Sequence, residues 1–266
     1  MRGLLLAALL GCPLLLQAQQ PTVVTLAVDE SHPPYVRNEA GQAIGLYVEL
    51  LQRAMAHMPQ WELKLRPLPW KRALATAELG DVDGVLPPYR GAGRDWIGAY
   101  VGPLYREEVV VYCDARVGLA TAPSWPNSFI GLRFGVPRAY FLSWRLEAAV
   151  HSSKVQRQDF NDVRDSLAAM AGQQVDCIAD DRFSVEFEYS RAQRHPQWAA
   201  RMPHSLPAPF VLEAQEAFVG FSRRSMTRRP ELAAFAKALD AQLAQLRATG
   251  EAERMARAML SSDGKP

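Results

Sequence analysis

The chain of 266 residues has 30 basic and 28 acidic side chains, and 48% of its residues are hydrophobic. This length suits one large domain or two lobes of about 100 to 130 residues, each able to bury its own core. Because the charges nearly balance and no basic face with interleaved aromatic residues occurs, the composition excludes nucleic acid as the expected partner.

The N-terminal segment 1–18 has the composition of an export signal. One basic residue, Arg2, precedes an apolar run at 4–16, and a small residue, Ala18, follows it. The run is too short and too broken by glycine and proline for a membrane span. We therefore predict a signal peptide at 1–18 and a periplasmic protein. The alternative is a lipoprotein acylated at Cys12, but the apolar run continues past this residue, where a lipoprotein usually turns polar.

Residues 22–86 predict alternating strands and helices. The predicted order is a strand at 22–28, a polar loop at 29–45, a helix at 46–58, a strand at 61–65, a helix at 70–79 and a strand at 82–86. The first helix rests on apolar residues at three- and four-residue spacing, a pattern that Pro59 ends. Such alternation predicts a parallel sheet with covering helices.

A second α/β unit follows in the sequence. After a strand at 108–112, the predicted order restarts with a strand at 132–136, helices at 140–150 and 162–171, and a strand at 175–179. A returning strand at 218–221, a long amphipathic helix from Pro230 and a short helix at 251–260 complete the chain. This order indicates that the second unit is inserted into the first.

The most informative stretch, 80–105, contains Arg94. Two prolines and two glycines follow the apolar strand at 82–86, so irregular backbone is expected at its carboxyl end, where open α/β sheets bind ligands. A guanidinium there offers a planar set of donors to a carboxylate or phosphate. Asp180 also follows an apolar strand, at an edge where a carboxylate is unfavourable unless paired or solvated. Its neighbour Asp181 is expected to be the solvated residue of the two.

Several short motifs occur along the chain in a specific order. They are VD at 28–29, HPPY at 32–35, GLYVEL at 45–50, PWKRAL at 69–74, GDVDGV at 80–85, Arg94 with Tyr105 eleven residues later, GLRFGV at 131–136 and GQQVDCIAD at 172–180. Together they resemble the family 3 extracytoplasmic solute-binding proteins, which serve polar-amino-acid ABC importers. The resemblance covers nearly all of the chain after residue 18.

The resemblance implies an α/β, periplasmic-binding-protein type II fold with two lobes, each a mainly parallel sheet flanked by helices, joined by two hinge crossovers. Residues 19–107 and 217–266 would form lobe 1, and residues 108–216 would form lobe 2. The implied protein is a monomeric receptor without a cofactor. It closes on a small polar, amino-acid-like ligand and delivers it to the membrane permease of an ABC importer.

The resemblance also implies roles for individual residues. In family members that bind α-amino acids, the arginine at the position of Arg94 binds the carboxylate, and the acid at the position of Asp180 binds the ammonium. Aromatic residues at the positions of His32, Tyr35 and Trp70 enclose the rest of the ligand. The alternative for Trp70 is packing in the core, and the alternative for His32 is a hydrogen bond within its own loop.

Tyr89 and Tyr140 depart from the family pattern, because small hydroxyl residues that donate to a carboxylate often occupy these regions. Bulky rings here favour an aromatic-lined cleft for an aromatic, cyclic or modified polar solute over an ordinary α-amino acid. We include both tyrosines among the expected ligand-binding residues. A helix beginning near Tyr140 would still offer free backbone N–H groups.

Two other functions stay open at this point. A cyclohexadienyl dehydratase resembles this family closely, and there a carboxylate such as Asp180, Asp181 or Glu186 would transfer a proton beside Arg94. A sensory module for a membrane signalling partner is the other.

The remaining chemistry of the sequence is sparse. The five histidines lack the spacing of metal ligands, so no metal site is predicted. Cys113 and Cys177 both lie in apolar, strand-like runs, where either a disulfide in an oxidising compartment or two free buried thiols would be ordinary.

Overall fold

The computed structural model describes residues 20–91, 93–138 and 142–261. The predicted signal peptide, Cys12 and Tyr140 therefore lie outside the described residues. The strands are β1 (Thr22–Asp29), β2 (Ser31–His32), β3 (Val36–Glu39), β4 (Gln42–Ile44), β5 (Trp61–Leu68), β6 (Gly84–Leu86), β7 (Ile97–Cys113), β8 (Arg133–Pro137), β9 (Gln156–Phe160), β10 (Cys177–Asp181) and β11 (Phe210–Ser222). The α-helices are α1 (Leu46–Met55), α2 (Trp70–Leu79), α3 (Trp144–His151), α4 (Val163–Ala171), α5 (Arg182–Gln193), α6 (Pro196–Ala199), α7 (Arg223–Arg228), α8 (Glu231–Ala248) and α9 (Glu251–Ser261).

One eight-stranded sheet runs through the molecule in the order β5-β1-β6-β11-β7-β10-β8-β9. Its two ends are parallel, because β1 pairs with β5 and β6, and β8 pairs with β9 and β10, all in the parallel sense. The long strands β7 and β11 pair antiparallel to each other between these ends. The predicted α/β class is therefore confirmed, and the predicted lobe boundaries at 107/108 and 216/217 fall within β7 and β11.

Hydrophobic burial explains why each half of the sheet forms. In the half that contains the N-terminal strand, β1 buries Val24, Leu26 and Val28 on the face that α1 and α8 cover. In the other half, Phe134 and Val136 of β8 pack in a separate cluster with α3. The two halves of the sheet therefore pack against separate apolar clusters, and the long strands β7 and β11 connect the halves.

A disulfide joins Cys113 at the end of β7 to Cys177 at the start of β10. The two residues are directly opposite each other in the antiparallel register of these strands. The bond closes a loop that contains β8, α3, β9 and α4. The sequence left the pairing open, and the structure places the two cysteines together.

The predicted loop at 29–45 is wrong, because it contains a small antiparallel sheet of β2, β3 and β4. Ala40 and Gly41 both have positive φ, 50° and 86°, between the paired residues Glu39 and Gln42. Two consecutive residues with positive φ make the tight turn typical of a hairpin. The polar composition hid this turn.

The second lobe also differs from prediction in its helices. Helix α3 begins at Trp144 and not near Tyr140, because the Oγ of Ser143 accepts a hydrogen bond from the backbone N of Arg145 at 3.1 Å and caps the helix. Helix α5 was not predicted, and Asp181 caps it. Within the described ranges, no helix is long and apolar enough to span a membrane.

Candidate functional site

A cavity of about 450 Å³ lies where the two halves of the sheet meet. Residues from the loop after β6 form one wall, the segment that leads into α3 forms a second, and β11 forms the floor. The lining residues are Tyr89, Arg90, Gly91, Arg94, Leu142, Trp144, Glu213, Ala214, Gln215, Glu216 and Phe218. We call this space the Arg94 cavity. Its volume falls in the range of small-molecule sites.

Arg94 is half-buried in this cavity. Its Nη1 donates a hydrogen bond to the backbone carbonyl of Tyr89, and no carboxylate within the described residues forms an ion pair with it. Burial lowers the pKa of Arg94 from its usual value, but a guanidinium stays charged at any physiological pH. The remaining donors of Arg94 are therefore available to an anionic group in the cavity.

The floor of the cavity carries the opposite charge. Oε2 of Glu213 accepts a hydrogen bond from the hydroxyl of Ser143 at 2.5 Å, and Glu216 lies three residues further along β11. Neither glutamate forms an ion pair within the described residues. Both signs of charge therefore line one cavity without neutralising each other.

Aromatic rings complete the lining. The side chain of Trp144 is 73% exposed at the mouth, on the lobe that faces Arg94. Phe218 lies deeper, and the guanidinium of Arg90 stacks 4.6 Å from its ring centroid. These rings offer apolar surface to the body of a ligand whose polar groups bind elsewhere.

A second set of polar groups is buried beside the cavity, around Glu107 in β7. The Glu107 side chain is only 1% exposed, yet it accepts hydrogen bonds from the hydroxyls of Tyr47 and Tyr89, the latter at 2.6 Å. The Nε2 of His32 lies 3.6 Å from its Oε2. Tyr89 thus belongs to both sites, since its hydroxyl binds Glu107 and its carbonyl binds Arg94.

Two further carboxyl groups, Asp180 and Asp181, reach the same region from the end of β10. The hydroxyl of Tyr35 donates to Oδ1 of Asp181 at 2.8 Å, and Oδ1 also caps α5 through the backbone N of Ser184. The hydroxyl of Ser184 donates to the carbonyl of Pro33 at 3.0 Å. These contacts connect the β2–β3 segment to the start of α5, across the two halves. We call this set the buried acid cluster, comprising Glu107, Asp180, Asp181, His32, Tyr35, Tyr47 and Tyr89.

Burial has the largest effect on the pKa values of the buried acid cluster. It raises the pKa of Asp180 to about 7, and the negative charge of Glu107 adds to the effect. Burial and Glu107 likewise raise the pKa of Asp181 to about 7. Burial alone would lower the pKa of His32, but its contact with Glu107 and the charges of Asp29 and Asp181 raise it to about 9.

We expect the stability contributed by this cluster to fall as the pH rises from about 4 to about 9. All three groups bind protons more tightly in the folded chain than in the unfolded chain. The aspartates therefore destabilise the fold progressively between pH 4 and 7, and the contribution of His32 is lost as the pH approaches 9. The melting temperature measured from pH 5 to pH 9 tests this dependence.

The Asp181→Asn variant isolates one carboxyl group in that test. Asparagine keeps an acceptor for Tyr35 and for the helix cap but does not ionise. Its melting temperature should therefore rise relative to the wild type as the pH increases, by several degrees in all. A difference between variant and wild type that stays constant from pH 5 to pH 9 would contradict the proposed titration.

The structure places most of the predicted site residues near one another, in two neighbouring groups. His32, Tyr35, Tyr89 and Asp180 belong to the buried acid cluster, and Arg94 lines the adjoining cavity. Asp180 is not among the lining residues of that cavity. Its contact with a ligand thus stays a prediction.

Two other predicted ligand-binding residues belong to neither of these groups. Trp70 packs half-buried against the core of Ala27, Leu68, Ala73, Ala77, Val82 and Val85, which agrees with its alternative role, and it does not line the Arg94 cavity. Tyr140 lies outside the described residues.

The expectation that Asp181 is solvated is wrong. Its side chain is 4% exposed, because it caps α5 and accepts a hydrogen bond from Tyr35.

Sequence reasoning also missed Glu107, Tyr47 and Glu213. Glu107 is followed by a stretch of β7 in which Val109, Val110 and Val111 are all buried, so no alternation in the sequence marks its side chain as facing inward. Among the described residues, no group of three or more His, Cys, Asp or Glu side chains could hold a metal ion.

Solved structures with the same fold include substrate-binding domains and a sensor domain. The second substrate-binding domain of GlnP from Lactococcus lactis, in an open conformation, matches at 21% identity and a TM-score of 0.62, over 91% of this chain and 96% of that domain. The amino acid ABC transporter substrate-binding protein AbpA from Streptococcus pneumoniae, bound to L-arginine, matches at 15% identity and a TM-score of 0.61, over 92% of this chain and 97% of that protein. A histidine kinase sensor domain with similarity to periplasmic binding proteins matches at 17% identity and a TM-score of 0.62, over 90% of this chain and 96% of that domain.

The sequence itself gives no match to any protein-family model or curated protein. The structural likeness nevertheless confirms the predicted type II periplasmic-binding-protein fold.

Proposed function

We propose that the protein is an extracytoplasmic receptor that closes on a small, amino-acid-like solute with a carboxylate and presents it to a membrane partner. One observation carries the proposal. Arg94 is a half-buried guanidinium without an ion-pair partner in the described residues, and it lines a cavity between two lobes of a solute-binding fold. A carboxylate in the cavity would supply the negative charge that pairs with Arg94 and could accept bidentate hydrogen bonds from its guanidinium.

The two-lobed arrangement explains how binding would lead to closure. Arg94 and Tyr89 belong to the proposed lobe 1 at 19–107 and 217–266, whereas Leu142 and Trp144 belong to the proposed lobe 2 at 108–216. A ligand that contacts both walls favours the state in which the lobes lie close together. The long strands β7 and β11 would act as the hinge.

The disulfide supports a location outside the cytoplasm. Structural disulfides form and persist in oxidising compartments such as the periplasm, and cytosolic reductants keep most thiols reduced. Cys113 and Cys177 form such a bond within the core of lobe 2. The predicted export signal at 1–18 agrees with this location.

The partner would be an ABC importer or a membrane sensor, since proteins of both kinds contain domains of similar structure. The carboxyl groups named for the dehydratase alternative do not lie beside Arg94. Asp180 does not line the Arg94 cavity, and Asp181 and Glu186 line a different cavity of about 210 Å³. A dehydratase acting on a substrate held by Arg94 would instead need Glu213 or Glu216, which line this cavity, as its proton-transfer group.

The Arg94→Ala variant tests the receptor function. We expect the variant to bind a carboxylate ligand roughly 30- to 5,000-fold more weakly, because a buried charge of the ligand would lose its partner. Thermal-shift screening of the wild type with the twenty standard amino acids and with simple carboxylic acids identifies the ligand, and calorimetry measures the loss.

A matched control is Arg72→Ala on α2, an exposed arginine outside the cavity, which should bind as the wild type does. The proposal fails if none of these compounds stabilises the wild type. It fails equally if Arg94→Ala and Arg72→Ala retain the same affinity. Turnover of prephenate or arogenate by the wild type would favour the enzyme instead.

A further inference from the structure

The positive and negative side chains that line the Arg94 cavity lie on different sides of it. The cationic groups, Arg90 and Arg94, come from the loop after β6, and the anionic groups, Glu213 and Glu216, come from β11. None of the four forms an ion pair within the described residues, so no arginine of the pair lies within 4.0 Å of either glutamate carboxylate. A cavity with separated, opposite charges complements a solute that carries both signs.

Glu213 is the better positioned of the two acids. The Oγ of Ser143 donates to its Oε2 at 2.5 Å, and the same Oγ accepts from the backbone N of Arg145 at 3.1 Å. Ser143 is buried and caps α3, so its hydroxyl holds Glu213 beside the start of this helix. Glu216, by contrast, is exposed.

Asp180 is differently placed. Its Oδ1 accepts from the backbone N of Asp181 at 2.7 Å, and the side chain is buried in the acid cluster, outside the lining of the cavity. Burial and the charge of Glu107 both favour its protonated form. Because Glu213 lines the cavity and Asp180 does not, Glu213 is the acid that a cationic group in the cavity can contact.

We infer that Glu213, positioned by Ser143, binds the cationic group of the solute, so that the receptor takes a zwitterion whose carboxylate faces Arg94. This inference rests on the proposed function and assigns to Glu213 the cation-binding role that the family resemblance implies for Asp180. Trp144, at the mouth of the cavity, would cover the apolar part of the zwitterion.

The test compares each amino acid of the panel with the carboxylic acid that lacks its α-amino group. For the wild type, at least one amino acid should bind about 10- to 100-fold more tightly than its des-amino counterpart, the range of a charge-assisted hydrogen bond. Glu213→Gln should abolish this preference and leave affinity for the des-amino acid within about twofold. Ser143→Ala should reduce the preference by a smaller factor, about 3- to 10-fold. Glu62→Gln, which replaces an exposed glutamate of strand β5, is the matched control and should keep the wild-type preference.

Each other result counts against the inference in a distinct way. A Glu213→Gln variant that keeps the full preference overturns it, and if Asp180→Asn loses the preference instead, the cationic group binds at Asp180. A wild type that prefers des-amino acids also overturns it. In both cases the receptor function still stands if Arg94→Ala weakens binding. If the wild type binds none of the tested compounds, the proposed receptor function itself is wrong.

Discussion

Replacing Glu107 with alanine should lower the stability of the protein by about 3 to 5 kcal/mol, the usual result of removing one partner from a buried polar network. Glu107 is the common acceptor for the hydroxyls of Tyr47 and Tyr89, and it lies 3.6 Å from His32. Without it, these buried donors have no charged acceptor. For a chain of this size the melting temperature should fall by roughly 10 °C.

The neighbouring residue provides a matched control. Glu108 is on the same strand, but its side chain is 30% exposed and pairs with Arg182 at 2.8 Å. A pair of this kind contributes about 0 to 1 kcal/mol, so Glu108→Ala should melt within a few degrees of the wild type. Thermal and urea unfolding of both variants measure the difference. Equal losses for the two substitutions would show that Glu107 does not organise the cluster.

The sequence predicted the parts of the fold that depend on local patterns. Helix α2 was predicted with its observed bounds, because its N-terminus follows Pro69 and Gly80 ends it in a left-handed conformation. The loop that carries Arg94 was predicted because prolines and glycines follow a short apolar strand. In both cases neighbouring residues contain the physical cause.

Features that depend on distant contacts were missed. Asp181 becomes buried because Tyr35, 146 residues away in the sequence, donates to it, and no local pattern reports such a contact. Glu107 lies between Arg106 and Glu108, so the charged triplet has the composition of a solvated segment. Only the strand register reveals that its side chain faces inward. Glu213 shares this difficulty, because its function depends on the cap of α3.

Removing the disulfide should lower the stability of the protein by about 4 kcal/mol. The bond between Cys113 and Cys177 spans 64 residues, and cross-linking a loop of this length restricts the unfolded chain by that amount in the chain-entropy model. Because both residues are buried in paired strands, the Cys113→Ala/Cys177→Ala double variant should fold and melt roughly 10 °C below the oxidised wild type.

Reduction of the wild type provides the matched control for this double variant. Dithiothreitol should lower the melting temperature of the wild type towards that of the variant and leave the variant unchanged. Ligand affinity should change little in either case, because neither cysteine lines the Arg94 cavity and the closed loop lies within lobe 2. A variant that melts with the oxidised wild type would show that the pairing of β7 with β10 holds lobe 2 together without the covalent bond. A variant that keeps its stability but loses the ligand would instead connect the disulfide to the geometry of α3, which the closed loop contains and whose cap holds Glu213.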